Sequence, residues 1–247
     1  PHHRLPDQAP SGDGDRGAML AVKAPLGEIE RLIADQQLDV VLANRNSPTQ
    51  GVLSGERGEI SRAAELCKQR GFTAKMLNVS GAFHSRLMES AVGPFRQALE
   101  SVEFCEPTVP VFATATGRAY PTESAAARAL LGRQLLEPVD FVGQVEGLYH
   151  AGARTFVEVG PKSVLTGLAE ATLDGRGARC VALDASVGRR SGVADLARCL
   201  CRLAAEARPV ELGKWEKPTS EPRKPRMVVP LTGANYRASR TEKAPII

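Results

Sequence analysis

Val40-Val41-Leu42-Ala43-Asn44-Arg45-Asn46-Ser47-Pro48-Thr49-Gln50-Gly51-Val52-Leu53 holds two short apolar runs, residues 40–42 and 51–53, on either side of a Ser-Pro turn. Apolar runs of this length bounded by turn residues read as strands. Upstream, Leu26, Ile29, Leu32 and Ile33 recur at helical spacing, and Ala18–Lys23 before them reads as a strand. Downstream, Ile60, Ala63, Ala64 and Cys67 mark a second helix, and residues 73–79 a fourth strand. The order β-α-β-β-α-β is that of a ferredoxin-like unit, assigned here to residues 17–79.

Working outward, residues 87–102, 125–136 and 141–149 read as helices, with a strand at 109–113 entering a Thr/Gly turn. A short strand at 155–159 leads through Gly160-Pro161 into a helix over 163–173, and 180–183 and 193–205 add a strand and an amphipathic helix. Strands alternating with helices predict parallel pairing in an α/β sheet. Residues 1–16, rich in Pro, Gly and Asp without apolar period, read as a flexible arm. From Arg208 onward Lys, Pro, Glu and Ser dominate, with Trp215 and the apolar island Met227-Val228-Val229-Pro230-Leu231. Residues 208–247 therefore read as a linker that clips back onto the folded body. The expected fold class is α/β, with residues 80–207 as the second folded part.

The chain has 247 residues, enough for a substantial core, and a net charge of only +4. That charge is too dispersed for a nucleic-acid footprint, and no aromatic-basic interleaving supports one. No apolar run approaches membrane-spanning length and no signal-peptide pattern opens the chain. The five cysteines are irregularly spaced, and Cys199 and Cys201 fall on different faces of a probable helix, so no metal site is expected. A reduced, cytoplasmic setting fits this usage.

The residue with most chemical promise is His84, in Val79-Ser80-Gly81-Ala82-Phe83-His84-Ser85. It follows the apolar run Met76-Leu77-Asn78-Val79, which reads as a short buried strand. The small residues Ser80, Gly81 and Ala82 let the backbone turn and leave the ring room to face a cleft. A histidine so placed can exchange protons near neutral pH; the alternative is a capping or core histidine at a strand-to-helix junction. A base needs a nucleophile, and no serine of the chain sits in a G-x-S-x-G elbow. None of the cysteines offers an obvious thiol in its place.

Four segments resemble a known family. Ala43-Asn44-Arg45-Asn46-Ser47-Pro48-Thr49-Gln50, the 81–85 stretch, Glu137-Pro138-Val139 and Val157-Glu158-Val159-Gly160-Pro161 occur in this order. Together they look like the C-terminal half of a malonyl-CoA:acyl-carrier-protein acyltransferase domain, over roughly residues 16–175. The resemblance implies the C-terminal part of an α/β-hydrolase-like acyltransferase core beside the ferredoxin-like subdomain. The family's nucleophilic serine, carboxylate-binding arginine and oxyanion glutamine would lie upstream, so the chain reads as a piece of a longer protein that is inactive alone. Leu183-Asp184-Ala185-Ser186, Trp215 and Val229–Tyr236 resemble the region after the acyltransferase in polyunsaturated fatty acid synthases and, more loosely, iterative polyketide synthases.

By this resemblance His84 is the general base, and a backbone carbonyl at Asp140 in Pro138-Val139-Asp140-Phe141 fixes its tautomer. The Asp140 side chain is expected to face solvent; the other possibility is that its charge raises the His84 pKa. Asn44 and Asn46 either serve a turn or line the acyl cleft, Asn44 being the favoured contact. Phe83 matches the malonyl-selecting form of the motif and would crowd an α-methyl branch. Gly160-Pro161-Lys162 reads as a tight turn rather than a phosphate site. The domain is expected to bind no cofactor of its own. Malonyl-CoA is the substrate, and the partners are acyl carrier protein domains bearing phosphopantetheine and neighbouring synthase domains.

Two functions follow: an acyltransferase half-domain moving malonyl through a serine ester, or a non-catalytic module that docks carrier proteins. An upstream G-H-S-x-G elbow would decide for the first.

Overall fold

The computed structural model describes residues 16–211 and 213. Expectations for the N-terminal arm, for Trp215 and for the 227–236 island lie outside the described residues, as does nearly all of the linker. The chain divides into two compact units, residues 1–202 and 203–247.

In the first unit, β1 (Ala18–Lys23), β2 (Val40–Ser47), β3 (Gln50–Gly55) and β4 (Thr73–Met76) alternate with α1 (Leu26–Asp35) and α2 (Arg57–Gln69). The strands lie in the order β4-β1-β3-β2, every neighbouring pair antiparallel, as in a ferredoxin-like sheet. The apolar spacing read in the sequence explains the helices: Leu26, Ile29 and Leu32 of α1 and Ile60, Ala63 and Cys67 of α2 point inward. They pack on Leu20, Val22 and Leu53 from β1 and β3. The opposite sheet face carries a smaller apolar patch of Met19, Ala43 and Val52, on which Leu77 and Phe83 pack. With both faces covered, β1 reads as an apolar run.

A strand that the sequence did not announce extends this sheet. β7 (Val139–Asp140) runs parallel to β2, with Asn44 opposite Val139 and Arg45 opposite Asp140. Asn44 and Asn46 therefore lie within β2 itself, whose register shifts around both positions, and not past its end.

After β4 a 3₁₀ turn over Arg86–Met88 leads into α3 (Glu89–Glu100). β5 (Phe112–Ala113) and β6 (Arg118–Ala119) form a small antiparallel hairpin, followed by α4 (Ser124–Arg133) and, after β7, α5 (Phe141–His150). The strand expected over 109–113 shrinks to two residues because Val109 and Val111 are exposed, with no apolar surface to hold them. β8 (Thr155–Glu158) pairs in parallel with β9 (Arg179–Ala182) around α6 (Val164–Thr172). Val145, Ala169, Leu173 and Cys180 make their core. The run 76–79 is also corrected: β4 stops at Met76, and Met76 and Val79 are 42% and 40% exposed. As the edge of the sheet, β4 has a partner on one side only.

α7 (Gly192–Ala205) begins in the first unit, burying Asp195 and Cys199. In the described part of the second unit, the helix closes with Arg208 N–H donating to Leu203 O at 2.9 Å.

Candidate functional site

His84 sits in a turn locked from three directions. Ala82, fully buried, donates its N–H to Arg16 O at 2.9 Å, which fixes the turn to the start of β1. Gly17 makes the approach possible: its φ is +72°, and a Cβ there would fall 2.5 Å from Gly55 O and 2.6 Å from the Ala82 methyl. The buried Ser85 hydroxyl donates to Ala82 O at 2.7 Å and accepts from Leu87 N–H at 3.3 Å, capping the 3₁₀ turn. Between these anchors His84 adopts a φ of 58°, a left-handed conformation uncommon for a residue with a side chain.

The third anchor is the chain leaving α4. His84 N–H donates to Leu135 O at 3.2 Å. The ring Nδ1 lies 2.9 Å from Gln134 O and 3.0 Å from Glu137 O. Both are carbonyl oxygens, which only accept, so Nδ1 carries the proton and donates to both. In the neutral ring this leaves the lone pair on Nε2. The ring is half-buried, and its orientation is set by backbone atoms alone.

The orienting carbonyls thus belong to Gln134 and Glu137, and not to Asp140. Two residues of extended chain separate Asp140 from the turn, and its groups are used elsewhere. Its N–H donates to Thr114 O at 2.9 Å, and its carboxylate accepts from Gly143 N–H at 2.9 Å as the cap of α5. That carboxylate also lies 3.9 Å from Arg45 Nε with its side chain 38% exposed, so it caps the helix while still meeting solvent. An Asp three residues ahead of a helical N–H is a capping signal, readable in the sequence beside the role assigned to it.

β7 ties the histidine to the sheet. Glu137 touches the ring, and Val139, two residues on, pairs with Asn44. Asn44 and Asn46 are half-buried, and neither amide side chain hydrogen-bonds to another of the described residues. Turn chemistry does not occupy them. Phe83 packs on the Met19–Ala43–Val52 patch, and Ala43 of that patch directly precedes Asn44.

Gly160-Pro161-Lys162 is a turn whose anion-binding capacity is already filled. Glu158 accepts from Leu165 N–H (3.1 Å), Thr166 N–H (2.7 Å) and the Thr166 hydroxyl (2.7 Å) at the start of α6. Burial pushes its carboxyl up, but these hydrogen bonds outweigh that and hold it below the usual range. Lys162 N–H donates to Asp184 at 2.7 Å. Burial pushes the thiols of Cys67, Cys180 and Cys199 up, which keeps them protonated and poor nucleophiles. Among the described residues no group of three His, Cys, Asp or Glu could hold a metal ion, and no helix is long and apolar enough to cross a membrane.

A family model described as the acyl transferase domain matches residues 11–199. The chain is 30% identical to a polyunsaturated fatty acid synthase polypeptide of Thraustochytrium sp., over 92% of this chain and 8% of that protein. It is 34% identical to the malonyl CoA-acyl carrier protein transacylase of Bacillus subtilis, over 66% of this chain and 51% of that protein. Its structure resembles the acyltransferase domain from the second module of the salinomycin polyketide synthase, with a TM-score of 0.73 and 28% identity over 85% of this chain and 50% of that one. The chain thus spans about half the length of the transacylase and of the salinomycin domain.

Proposed function

Because this chain belongs to the acyl transferase domain family, we propose that it supplies the base-bearing half of a malonyl-CoA:acyl carrier protein acyltransferase site. One observation carries the reading: Nδ1–H of His84 is held by Gln134 O and Glu137 O, which turns Nε2 into the proton acceptor. A serine nucleophile, which no elbow in these 247 residues provides, must come from polypeptide outside this chain.

The chemistry then balances. Nε2 takes the serine Oγ proton as Oγ bonds to the malonyl carbonyl carbon, and the C–S bond breaks. The imidazolium returns its proton to the departing CoA sulfur, while the two carbonyls keep facing Nδ1–H. In the second half the phosphopantetheine thiol of a carrier protein gives its proton to Nε2 and attacks the ester carbon. The serine oxygen leaves and recovers the proton. No resident cofactor is needed. Asn44 and Asn46 offer uncommitted amides to the acyl thioester, and Phe83 narrows the space for an α-branch. The carrier protein, and the neighbouring domains of a synthase, are the partners of this reading.

The test is twofold. The chain alone, given malonyl-CoA and a carrier protein, is expected to yield no acylated carrier. In a polypeptide that joins it to a serine-bearing half, His84→Ala is expected to slow serine acylation by ~10²–10⁴-fold, the range of general-base loss. Single-turnover malonylation measures it. An unchanged rate would make His84 a structural residue and return the chain to a docking role.

A further inference from the structure

A cleft of about 840 Å³ opens between α3, α4 and the β5–β6 hairpin. Buried Leu99 of α3 and Leu130 of α4 line it, together with Ala125, Ala126 and Ala129 of α4. Four arginines reach the same cleft, Arg96, Arg118, Arg128 and Arg133, against the single carboxylate of Glu100. Two of the four are committed. Arg128 donates to Val102 O at 3.1 Å with its guanidinium over the Phe104 ring, and Arg133 lies 3.2 Å from Glu137. Arg96 and Arg118 are exposed, and neither guanidinium has a partner among the described residues. Gly132 of α4 leaves room for the Arg96 stem: a Cβ there would lie 3.2 Å from Arg96 Cγ and 3.8 Å from Leu99 Cδ1. The apolar stem of Arg96 thus adjoins the leucine lining, while its charged head stays free.

The lining also says what the body of a ligand must be. Among the described residues that form it there is no aromatic ring to stack on and no side-chain amide to bond a heterocycle. Its hydroxyl, Thr116 Oγ1, already accepts from Arg118 N–H at 3.3 Å. A polar or aromatic body finds little to hold it, whereas leucine and alanine side chains gain by covering methylene groups. The head is set by the free guanidinium groups, whose paired N–H donors match the two oxygens of a carboxylate. The excess of arginine over carboxylate favours an anion throughout the cleft, and the volume is that of a small-molecule site.

We infer that the cleft is a binding site for a single-chain aliphatic carboxylate, with the carboxylate on Arg96 and Arg118 and the chain along Leu99, Leu130 and the α4 alanines. It is tested by calorimetric titration of the full chain with decanoate, 1-decanol, acetate and decyl phosphate. The same titrations are run on the Arg96→Gln/Arg118→Gln double variant and on Ala129→Glu. Both arginines are exposed and unpaired, and Ala129 is an exposed helix position, so both variants should melt as the wild type does.

The expected result is decanoate binding to the wild type, weakened tenfold or more in each variant, with decanol and acetate binding far more weakly. No decanoate binding, or equal binding to all three proteins, would overturn the inference. Decanol matching decanoate would make the cleft an apolar groove without a head-group site, and acetate matching it a simple anion site; either overturns it. Decyl phosphate binding tenfold more tightly than decanoate would overturn the carboxylate assignment. A dimer seen by sedimentation and lost in Ala129→Glu, with decanoate binding no form, would give the cleft to a second copy of the chain and overturn it as well. None of these readouts involves acyl transfer, so a failed assignment of His84 leaves them intact.

Discussion

His84 is held in a left-handed backbone conformation, which costs of order 1–3 kcal/mol for a residue with a side chain. The surrounding bonds must over-determine it, and Ser85 is the side chain best placed to do so. Its hydroxyl is buried and satisfies both Ala82 O and Leu87 N–H. Ser85→Ala leaves both groups without that partner and is expected to lower unfolding free energy by about 1–3 kcal/mol, measured by urea denaturation. In a polypeptide with the nucleophile present, the same change is expected to lower the acylation rate by loosening the ring, an effect that Ser85→Thr should partly restore. Phe83 makes a different kind of prediction, since its ring packs on Met19, Ala43 and Val52. Phe83→Ser is expected to relax a preference for malonyl over methylmalonyl units by about tenfold, ~1.4 kcal/mol, and to lower the melting temperature. Competition between the two CoA esters reads the first effect, and a ratio that stays fixed while the melt falls would leave Phe83 purely structural. At this scale the histidine was legible and its anchors were not. Gln134 and Glu137 act through main-chain carbonyls, which every residue possesses, so no side-chain pattern could mark them.

Among the elements, α6 shows how a helix end can be claimed by its own strand. Glu158 at the end of β8 accepts from Leu165, Thr166 and the Thr166 hydroxyl, and its carboxyl is held low despite burial. A carboxylate with a depressed folded pKa adds stability above its unfolded pKa and loses it as pH falls through the folded value. Acidification from neutral pH is therefore expected to weaken the α6 cap below the usual carboxylate range. In Thr166→Val that acid-linked loss should be smaller, because one of the bonds that depresses the pKa is gone; melts at neutral and acid pH measure the difference. Helix α5 is fixed in another way, by a close backbone approach. A Cβ on Gly147 would lie 2.2 Å from Gly117 O in the β5–β6 turn, so the hairpin can rest on α5 only because that position carries no side chain. The helices themselves were readable, because an apolar face repeats every three to four residues. Short strands were not: two-residue β5, β6 and β7 carry no period, and only their neighbours make them strands.

Among the described residues of the first unit, stability rests on three apolar centres: one between the ferredoxin-like sheet and its helices, one among α5, α6 and β8–β9, and the smaller Met19–Ala43–Val52 patch on the other sheet face. Ile60 is fully buried in the first, and Ile60→Ala is expected to cost about 2–5 kcal/mol through lost burial and an unfilled cavity, read from the shift in a urea midpoint. β7 helps join the ferredoxin-like sheet to the rest by adding a parallel fifth strand beside β2, and α5 and α6 also lie against β2. By itself the sequence determined the order of helices and strands from 18 to 76, the faces of α1 and α2, the candidate base and the absence of a serine elbow. Each of these is carried by side-chain type and spacing, which a linear chain displays. Only the tertiary structure decided that β7 enters the sheet, that Gln134 and Glu137 hold the ring, and that Met76 and Val79 lie exposed. The held ring and the fifth strand depend on main-chain groups met 50 or more residues away, and a main-chain group leaves no signature in the residue that carries it.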